Sequence, residues 1–494
     1  MQIIGHRGVP SETPRNTLAG MRRAIELGLD YVEVDLRTTS DGRIVDIHNS
    51  TVDDTTDGTG EVSSMTCAEI RKLDAGSWFG PEFRGERVPL FAEELALAKG
   101  RIKLYLDMKA VDSLQVLWLL EQFDMVEDAV CFSGVEDLAA MQAANPRVQV
   151  MPHLSQAADM AGLADRLHPQ YVERGGGPLD QAAIDAAHAH GARYFLDIQG
   201  EGDNERNILA CLRARVDAVQ TDHPRLVLDV LRHAGIERQA PEPAPPPPVP
   251  GARTDPRRVK IIAHRGVAKR APQNTLAAAR ETIALGLDYI EVDVQTTADG
   301  LLVDIHNDAV DGTTNGHGRV RDLTYAQIRA LDAGSWFAPK FKGERVPLLG
   351  EVLALAKGRT GIYLDWKDAD PKPVVGLLRA FDMTRDVLVH ADEETCREVQ
   401  ALDSTVPLMP GAGSAQEVRA LATSLAPQAI ELRWRSFSEE AARACHELGI
   451  ICATSLAGGR GDTAPDMGRA VAAGVQVIET DEPELLLEVL QSSP

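Results

Sequence analysis

The chain has few cysteines, fewer cations than anions and no long apolar run, and each shortage excludes a class of protein. Six cysteines occur in 494 residues (Cys67, Cys131, Cys211, Cys396, Cys445 and Cys452), none of them in a C-x-x-C pair. A disulfide framework is therefore not expected, and the thiols read as buried and reduced. Lysine and arginine number 51 against 74 aspartates and glutamates, a net charge of −23 with neutral histidines. That excess of carboxylate repels phosphate backbones and anionic lipid, so no nucleic-acid partner and no membrane-surface partner is expected. No apolar stretch approaches the ~18–20 residues of a membrane span. The opening residues Met1-Gln-Ile-Ile-Gly-His6 carry neither the basic nor the apolar region of a signal peptide, and a cytoplasmic location is expected.

What is present is an ordinary globular composition, 44% hydrophobic and 25% charged, written twice. Ile4-Gly-His-Arg-Gly-Val9 returns as Ile262-Ala-His-Arg-Gly-Val267, and Tyr31-Val-Glu-Val-Asp35 as Tyr289-Ile-Glu-Val-Asp293. Val45-Asp-Ile-His-Asn49 returns as 303–307, and Leu104-Tyr-Leu-Asp-Met-Lys109 faces Ile362-Tyr-Leu-Asp-Trp-Lys367. The offset is 258 throughout and slips to 259 only near Thr221-Asp222 against Thr480-Asp481. Too long for a solenoid repeat, this period marks a duplicated domain, 1–237 and 259–494. Between the copies, 238–258 is proline-rich and reads as a polyproline spacer.

Within a copy, β-branched runs alternate with helical patterns. Strands are expected at 2–5, 31–35, 43–48, 102–107, 128–132, 147–151, 170–173, 193–197 and 216–220, and helices at 17–27, 114–123, 135–144 and 181–190. This alternation predicts an α/β fold, most simply two tandem (β/α)8 TIM-type barrels. An open doubly wound sheet is the alternative, though no G-x-G-x-x-G follows the first strand. Nine strands compete for eight barrel places, so one of the nine is expected to be spurious. The link Thr38-Thr-Ser-Asp-Gly42 is too short for a crossover helix and carries a turn signal. Read as a hairpin or as an extended return, it brings Asp35 and His48 together, and leaves 50–90 as an insertion after the third strand.

Polar residues gather where strands end: His6 and Arg7 after the first, Glu33 and Asp35 on the second, His48 on the third, Asp107 and Lys109 on the fourth. Parallel barrel strands share one carboxyl-end rim, which carries active sites. The two-residue period puts Glu33 with Asp35 on one face, and Asp107 with Lys109 on one face. Three converging carboxylates repel unless a cation sits among them, and oxygen-only ligation suits Mg²⁺ or Ca²⁺. A structural ion cluster with Arg7 and Lys109 is the reading that needs no metal. Two histidines beside this group supply acid–base capacity, and the Arg–Lys pair suits a bound phosphate. The chemistry implied is metal-assisted cleavage of a small-molecule phosphodiester. Glu173 and Glu431 match at another strand end and would line the same pocket. Trp78 and Trp336 are expected to pack the insertion.

His-Arg-Gly, Pro-x-Asn-Thr-Leu (14–18 and 272–276), Glu-x-Asp, Asp-Gly-x-x-Val-x-x-His, Leu-Asp-Ala-Gly and a closing Thr-Asp together resemble the glycerophosphodiester phosphodiesterase family, over both copies nearly end to end. The resemblance implies a TIM barrel with an inserted segment after the third strand, here 50–90 and 308–348. It implies hydrolysis of glycerophosphodiesters to an alcohol and glycerol 3-phosphate with a divalent metal. His6 and His48 are then the acid–base pair, Glu33, Asp35 and Asp107 the metal ligands, and Arg7 and Lys109 substrate contacts. The second set is His264 and His306, then Glu291, Asp293 and Asp365, then Arg265 and Lys367. In the mechanism it implies, the substrate's own 2-hydroxyl attacks phosphorus and water opens the cyclic phosphate.

This chain departs from the family at several places. Asp107 and Asp365 replace a glutamate, Asn49 and Asn307 replace the aspartate after histidine, and Arg15 and Gln273 replace the glutamate before Asn-Thr. Asp54 and Gly312 stand where the family has arginine, and a late tryptophan is absent from 193–198 and 451–456. These departures motivate a second reading, a protein that binds a phosphodiester without cleaving it, or with one working copy.

Overall fold

All nine β-branched runs of the first copy are strands: β1 (Gln2–Gly5), β2 (Tyr31–Thr38), β3 (Ile44–Asp46), β4 (Lys103–Ala110), β5 (Ala129–Phe132), β6 (Gln149–Met151), β7 (Tyr171–Gly176), β8 (Arg193–Asp197) and β9 (Ala218–Thr221). The expectation that one was spurious is therefore corrected. The ninth strand is β3, which pairs antiparallel with β2 outside the ring, Leu36 facing Asp46 and Thr38 facing Ile44. The Asp-Gly turn makes a hairpin, and its tight return leaves no room for a crossover. The structure is a computed structural model that describes residues 1–236, 259–459 and 461–492. The chain divides into two compact units, one per copy. The proline-rich 238–258 segment lies outside the described residues.

The other eight strands run parallel in the order β1-β2-β4-β5-β6-β7-β8-β9, and β9 pairs with β1 (Ile3 with Val219). Between β6 and β7 the ring closes through His153 and Glu173, with Leu154 N donating to Glu173 O at 2.7 Å. A closed parallel ring excludes the open doubly wound sheet. The second copy repeats it with β10 (Lys260–Ala263), β11 (Tyr289–Thr296), β12 (Leu302–Asp304), β13 (Gly361–Asp368), β14 (Val387–His390), β15 (Gly411–Ala412), β16 (Ala429–Arg433), β17 (Ile451–Ser455) and β18 (Val477–Thr480). There β12 is the hairpin arm, and Met409 N donating to Val389 O at 2.7 Å closes the ring. Both copies are TIM-type (β/α)8 barrels.

The expected helices form at Leu18–Glu26, Ser113–Gln122, Val135–Ala144 and Gln181–Ala189. Three start at side-chain caps that satisfy otherwise unpaired first-turn amides: Thr17 on Gly20 N, Asp112 on Leu114 N and Asp180 on Ala182 N.

One buried residue from each ring strand fills the first barrel: Ile4, Tyr31, Tyr105 and Val130, then Met151, Tyr171, Phe195 and Ala218. Strand alternation makes the residue two positions further along face the same interior, one level nearer the carboxyl ends. Those positions are His6, Glu33, Asp107, Phe132, His153, Glu173, Asp197 and Gln220. An apolar plug thus carries a mostly polar ring, and that ring is the floor of the mouth.

The 50–90 insertion builds its own small core, with Val52, Val62, Cys67, Ile70 and Leu90 packed on Val45 and Ile47 of the hairpin. It follows the hairpin arm, so counted around the barrel it lies after the second strand and not the third. His48 lies just beyond the end of β3 at Asp46, in a bend. Trp78 and Trp336 pack on the insertion as expected, against Phe79 and Phe337, but on its surface and outside this core. They are 42% and 48% exposed, and the Arg15 guanidinium lies 5.4 Å over the Trp78 ring.

Behind the hairpin, Asp46 is buried and hydrogen-bonds Glu94 of the helix Phe91–Ala98, where the second copy has Val352. Burial, reinforced by the Asp46 charge, holds the Glu94 carboxyl well above its ordinary range. A carboxyl whose folded pKa exceeds its unfolded value stabilises fully at low pH and loses that contribution as pH climbs from about 4.5 toward the raised value. Glu94→Val is expected to stabilise the first barrel by about 1–3 kcal/mol at pH 8, with a smaller gain at pH 5. Hydrogen exchange of the 91–98 segment at the two pH values measures this.

Candidate active site

Glu33, Asp35 and Asp107 present carboxylate oxygens within 4.8 Å of one another, as do Glu291, Asp293 and Asp365. β2 and β4 are neighbours in register, Asp35 beside Asp107 and Asp293 beside Asp365. The shorter aspartate at 107 therefore still reaches the cluster. Asn16, held in the left-handed backbone region, donates its amide to Asp35 Oδ2 at 3.0 Å and Asp46 Oδ1 at 2.7 Å. That pins the acid to the hairpin and explains the Pro-x-Asn-Thr motif. Asn274 does the same for Asp293 and Asp304.

The two basic residues converge on these acids. Arg7, also left-handed at φ 53°, donates its backbone amide to Glu33 Oε2 at 3.0 Å and brings Nε to 3.3 Å from Asp35. Gly8 follows because a β-carbon there would lie 2.8 Å from Gly20 Cα. Arg265 N donates to Glu291 at 2.6 Å. Lys109 is an extra residue bulged into β4, paired with Asp107 and 3.5 Å from Asp35 Oδ1. Lys367 lies 3.2 Å from Asp293 and 2.5 Å from Asp365.

Electrostatically the cluster remains in excess of negative charge. Burial, followed by the charge of Asp35, pushes Glu33 well above the usual carboxylate range. Burial also raises Asp107 despite Lys109 on it. Among the described residues, Asp35 Oδ1 is buried and accepts no hydrogen bond. A hard divalent cation fits such an all-oxygen donor set, and each cluster could hold one.

His6 stands beside this cluster with Nε2 3.6 Å from Glu33, and Nδ1 2.6 Å from Asp222 Oδ1. Asp222 holds the proton on Nδ1 and leaves Nε2 facing the pocket. Burial lowers the His6 pKa. His264 is bound alike by Asp481 at 2.6 Å, but here the hydrogen bond and the charge of Glu479 outweigh burial and raise it. Glu479 occupies the place of Gln220, whose amide donates to Glu33 Oε2 at 2.6 Å. With Glu479 the second copy gains a further possible donor group, His264, Glu291 and Glu479.

His48 sits past the hairpin, next to Ile47, whose amide donates to Asp35 O at 2.9 Å. The Arg37 fork clamps the His48 carbonyl at 3.0 and 2.7 Å. His48 Nδ1 lies 2.7 Å from Asn49 Oδ1, and Asn49 donates onward to Asp54. Asparagine thus fixes the same tautomer that an aspartate would, and Asp54 orients its amide. His306 has Asn307 at 2.8 Å, while Gly312 replaces Asp54.

Sequence reasoning assigned no role to Asp222, Asp481, Gln220, Glu479 or Asn16. The repeated Thr-Asp and Asn-Thr were the available signals. Glu173 lies in the ring as expected, 3.1 Å from His153, whereas Glu431 has Tyr363 OH at 2.8 Å and His390 at 3.6 Å. Among the described residues no helix is long and apolar enough to cross a membrane.

A family model described as the glycerophosphoryl diester phosphodiesterase family matches residues 6–226 and 264–395. A glycerophosphodiester phosphodiesterase of Caldanaerobacter subterraneus subsp. tengcongensis is 32% identical over 243 residues, 47% of this chain and 97% of its own length. One of Bacillus subtilis is 27% identical, over 47% of this chain and 87% of its own. The crystal structure of a glycerophosphodiester phosphodiesterase from Agrobacterium tumefaciens is 32% identical over 47% of this chain and 99% of that one, with a TM-score of 0.43. Each relative spans one copy. With family matches in both halves, this chain belongs to the glycerophosphoryl diester phosphodiesterase family, a family of enzymes, and carries its domain twice.

Proposed function

We propose that each barrel hydrolyses glycerophosphodiesters to an alcohol and glycerol 3-phosphate, using its two histidines as acid and base. The observation that carries this is the buried carboxylate triad flanked by an imidazole whose Nδ1 is occupied by Asp222 or Asp481. Glu33, Asp35 and Asp107 would hold a divalent cation, Mg²⁺ or Ca²⁺, as would Glu291, Asp293 and Asp365. Such an ion supplies positive charge to a phosphodiester's anionic oxygens. Arg7 and Lys109, and Arg265 with Lys367, bind those same oxygens and hold the phosphorus near the imidazoles.

With the substrate so placed, the Nε2 of one histidine takes the proton from the glycerol 2-hydroxyl as its oxygen bonds to phosphorus. The bond to the departing alcohol breaks, and the second histidine delivers a proton to that oxygen. Water then opens the cyclic phosphate with the two roles exchanged. His6 is pre-set for such work because Asp222 stabilises the imidazolium that forms. His48 is pre-set through Asn49 and Asp54.

Turnover of glycerophosphocholine is expected with Mg²⁺ or Ca²⁺ and is expected to vanish in EDTA. Tight calorimetric binding without product would favour a binding protein instead. His6→Ala or His264→Ala alone should leave the other barrel's rate, whereas the double variant should lose about 10²–10⁴-fold. In the His264→Ala background, Asp222→Asn keeps its oxygen on the Gly200 amide, from which Asp222 Oδ2 accepts at 3.4 Å. Unlike Asn49, whose NH2 is held by Asp54, it turns its own NH2 toward His6 Nδ1 and selects the wrong tautomer. Its kcat should fall by about 10²–10⁴-fold with KM little changed.

A further inference from the structure

A cavity of about 540 Å³ opens at the mouth of the second barrel, bounded among others by Asp365, Trp366, His390, Gly411, Glu431 and Arg433. It begins at the carboxylate of Asp365, so a diester whose phosphorus lies at the cluster can send one ester arm into it. Its size falls within the ~300–1,000 Å³ of small-molecule sites.

Two replacements on neighbouring ring strands border the space, and two more lie in the plug one level below it. In the apolar plug, Tyr171 and Phe195 of the first barrel give way to Ala429 and Ala453. One level up, Phe132 and His153 give way to His390 and Gly411. In the first barrel Tyr105 meets Phe132 at 6.1 Å and Phe195 at 5.4 Å, edge to face, so aromatic rings pack together at the corresponding positions. In the second, Tyr363 reaches Glu431 with its hydroxyl and stands 5.9 Å from His390. The last two replacements are coupled, because a β-carbon on Gly411 would sit 3.3 Å from His390 Cε1.

The walls also carry a chemical preference. The carboxylates of Asp365, Glu431 and Glu417 accept hydrogen bonds and donate none. Trp366 stands where the first barrel has Met108, and an indole attracts cations. Arg433, 3.8 Å from Glu417, Lys367, 2.5 Å from Asp365, and His390, 3.6 Å from Glu431, offset part of the negative charge, and Asp392 and Glu393 of the same wall add to it. We propose that this cavity is the subsite for an ammonium-bearing alcohol arm. The second barrel then cleaves diesters of bulky cationic alcohols, and the first, with Phe132 and His153 in place of His390 and Gly411, cleaves diesters with a small arm. This rests on the phosphodiesterase reading above.

The test uses full-length chain with one barrel silenced by His6→Ala or His264→Ala. Three esters of glycerol 3-phosphate are compared: choline, its neutral isostere 3,3-dimethylbutanol, and methanol. The His6→Ala protein should favour the choline ester over the methyl ester by about tenfold or more relative to the His264→Ala protein. It should also favour choline over the isostere. Equal ratios in the two proteins, or a preference for the isostere, overturn the proposal. Installing the first barrel's pair, Gly411→His with His390→Phe, in the His6→Ala protein should lower choline-ester turnover more than methyl-ester turnover, with folding checked by the melting temperature. If no ester is turned over at all, the phosphodiesterase reading fails. The subsite is then decided by calorimetry, where glycerophosphocholine binding that is insensitive to this pair of changes overturns it.

Discussion

Three carboxylates drawn to within 4.8 Å inside a barrel are the constraint that the rest of each copy answers. At an effective dielectric of 20, like unit charges about 4 Å apart repel by roughly 4 kcal/mol, and three such pairs exceed what a marginally stable domain can leave unopposed. The nearby chain supplies the opposition. Arg7 turns through the left-handed region so that its amide and guanidinium both face the acids. A bulge inserts Lys109 next to Asp107. Asn16 ties Asp35 to the hairpin. Even so burial, and after it the charge of Asp35, keeps Glu33 raised, and three carboxylates face only the two cations Arg7 and Lys109. That surplus makes a divalent cation fit here.

How much of this the sequence disclosed follows from the range of each interaction. The duplication, the strands and the convergence of Glu33 with Asp35 were legible because they rest on local periodicity and on a 258-residue echo. Asp107 was placed by the rule that parallel strand ends share a rim. The Asp222 bond to His6 spans 216 residues and joins the first strand to the last, so no local pattern announces it. The surplus strand was misjudged for a related reason. A run of three β-branched and acidic residues has the same local pattern whether it joins the ring or folds back, and only the turn before it discriminates. The tryptophans pack on the insertion, but their exposure runs against the general tendency of large aromatics to bury. Here each indole donates to a nearby carbonyl (Trp78 to Ala75, Trp336 to Ala333) and lies against a phenylalanine edge on the surface of the insertion.

Between the copies, the polar ring shows which quantity is constrained. His6, Glu33, Asp107, His153, Glu173 and Asp197 make four carboxylates and two histidines, with Phe132 and Gln220 completing the circle. In the second barrel, His264, Glu291, Asp365, His390, Glu431 and Glu479 again make four and two, with Gly411 and Ser455 completing it. One histidine has moved a single strand, from the His153 position to that of Phe132. One carboxylate has moved a single strand the other way round the ring, from the Asp197 position to that of Gln220. The histidine keeps Glu173 or Glu431 as its partner from either place. The moved carboxylate joins Glu291 and raises His264, where Gln220 instead donates to Glu33.

Shifts of this kind preserve the sum of charges over a buried mouth while redistributing volume around it. A change in that sum would alter the electrostatic cost felt by the buried members of the ring, Glu33, Asp107 and Glu173 among them, because they share one poorly solvated space. A change in volume is felt only by immediate neighbours. Shape can therefore diverge between duplicated barrels more freely than charge can. The two mouths accordingly differ most on the β5–β8 arc and its counterpart, away from the cluster, and least at the three carboxylates, where any displacement would reopen the repulsion that the fold is arranged to contain.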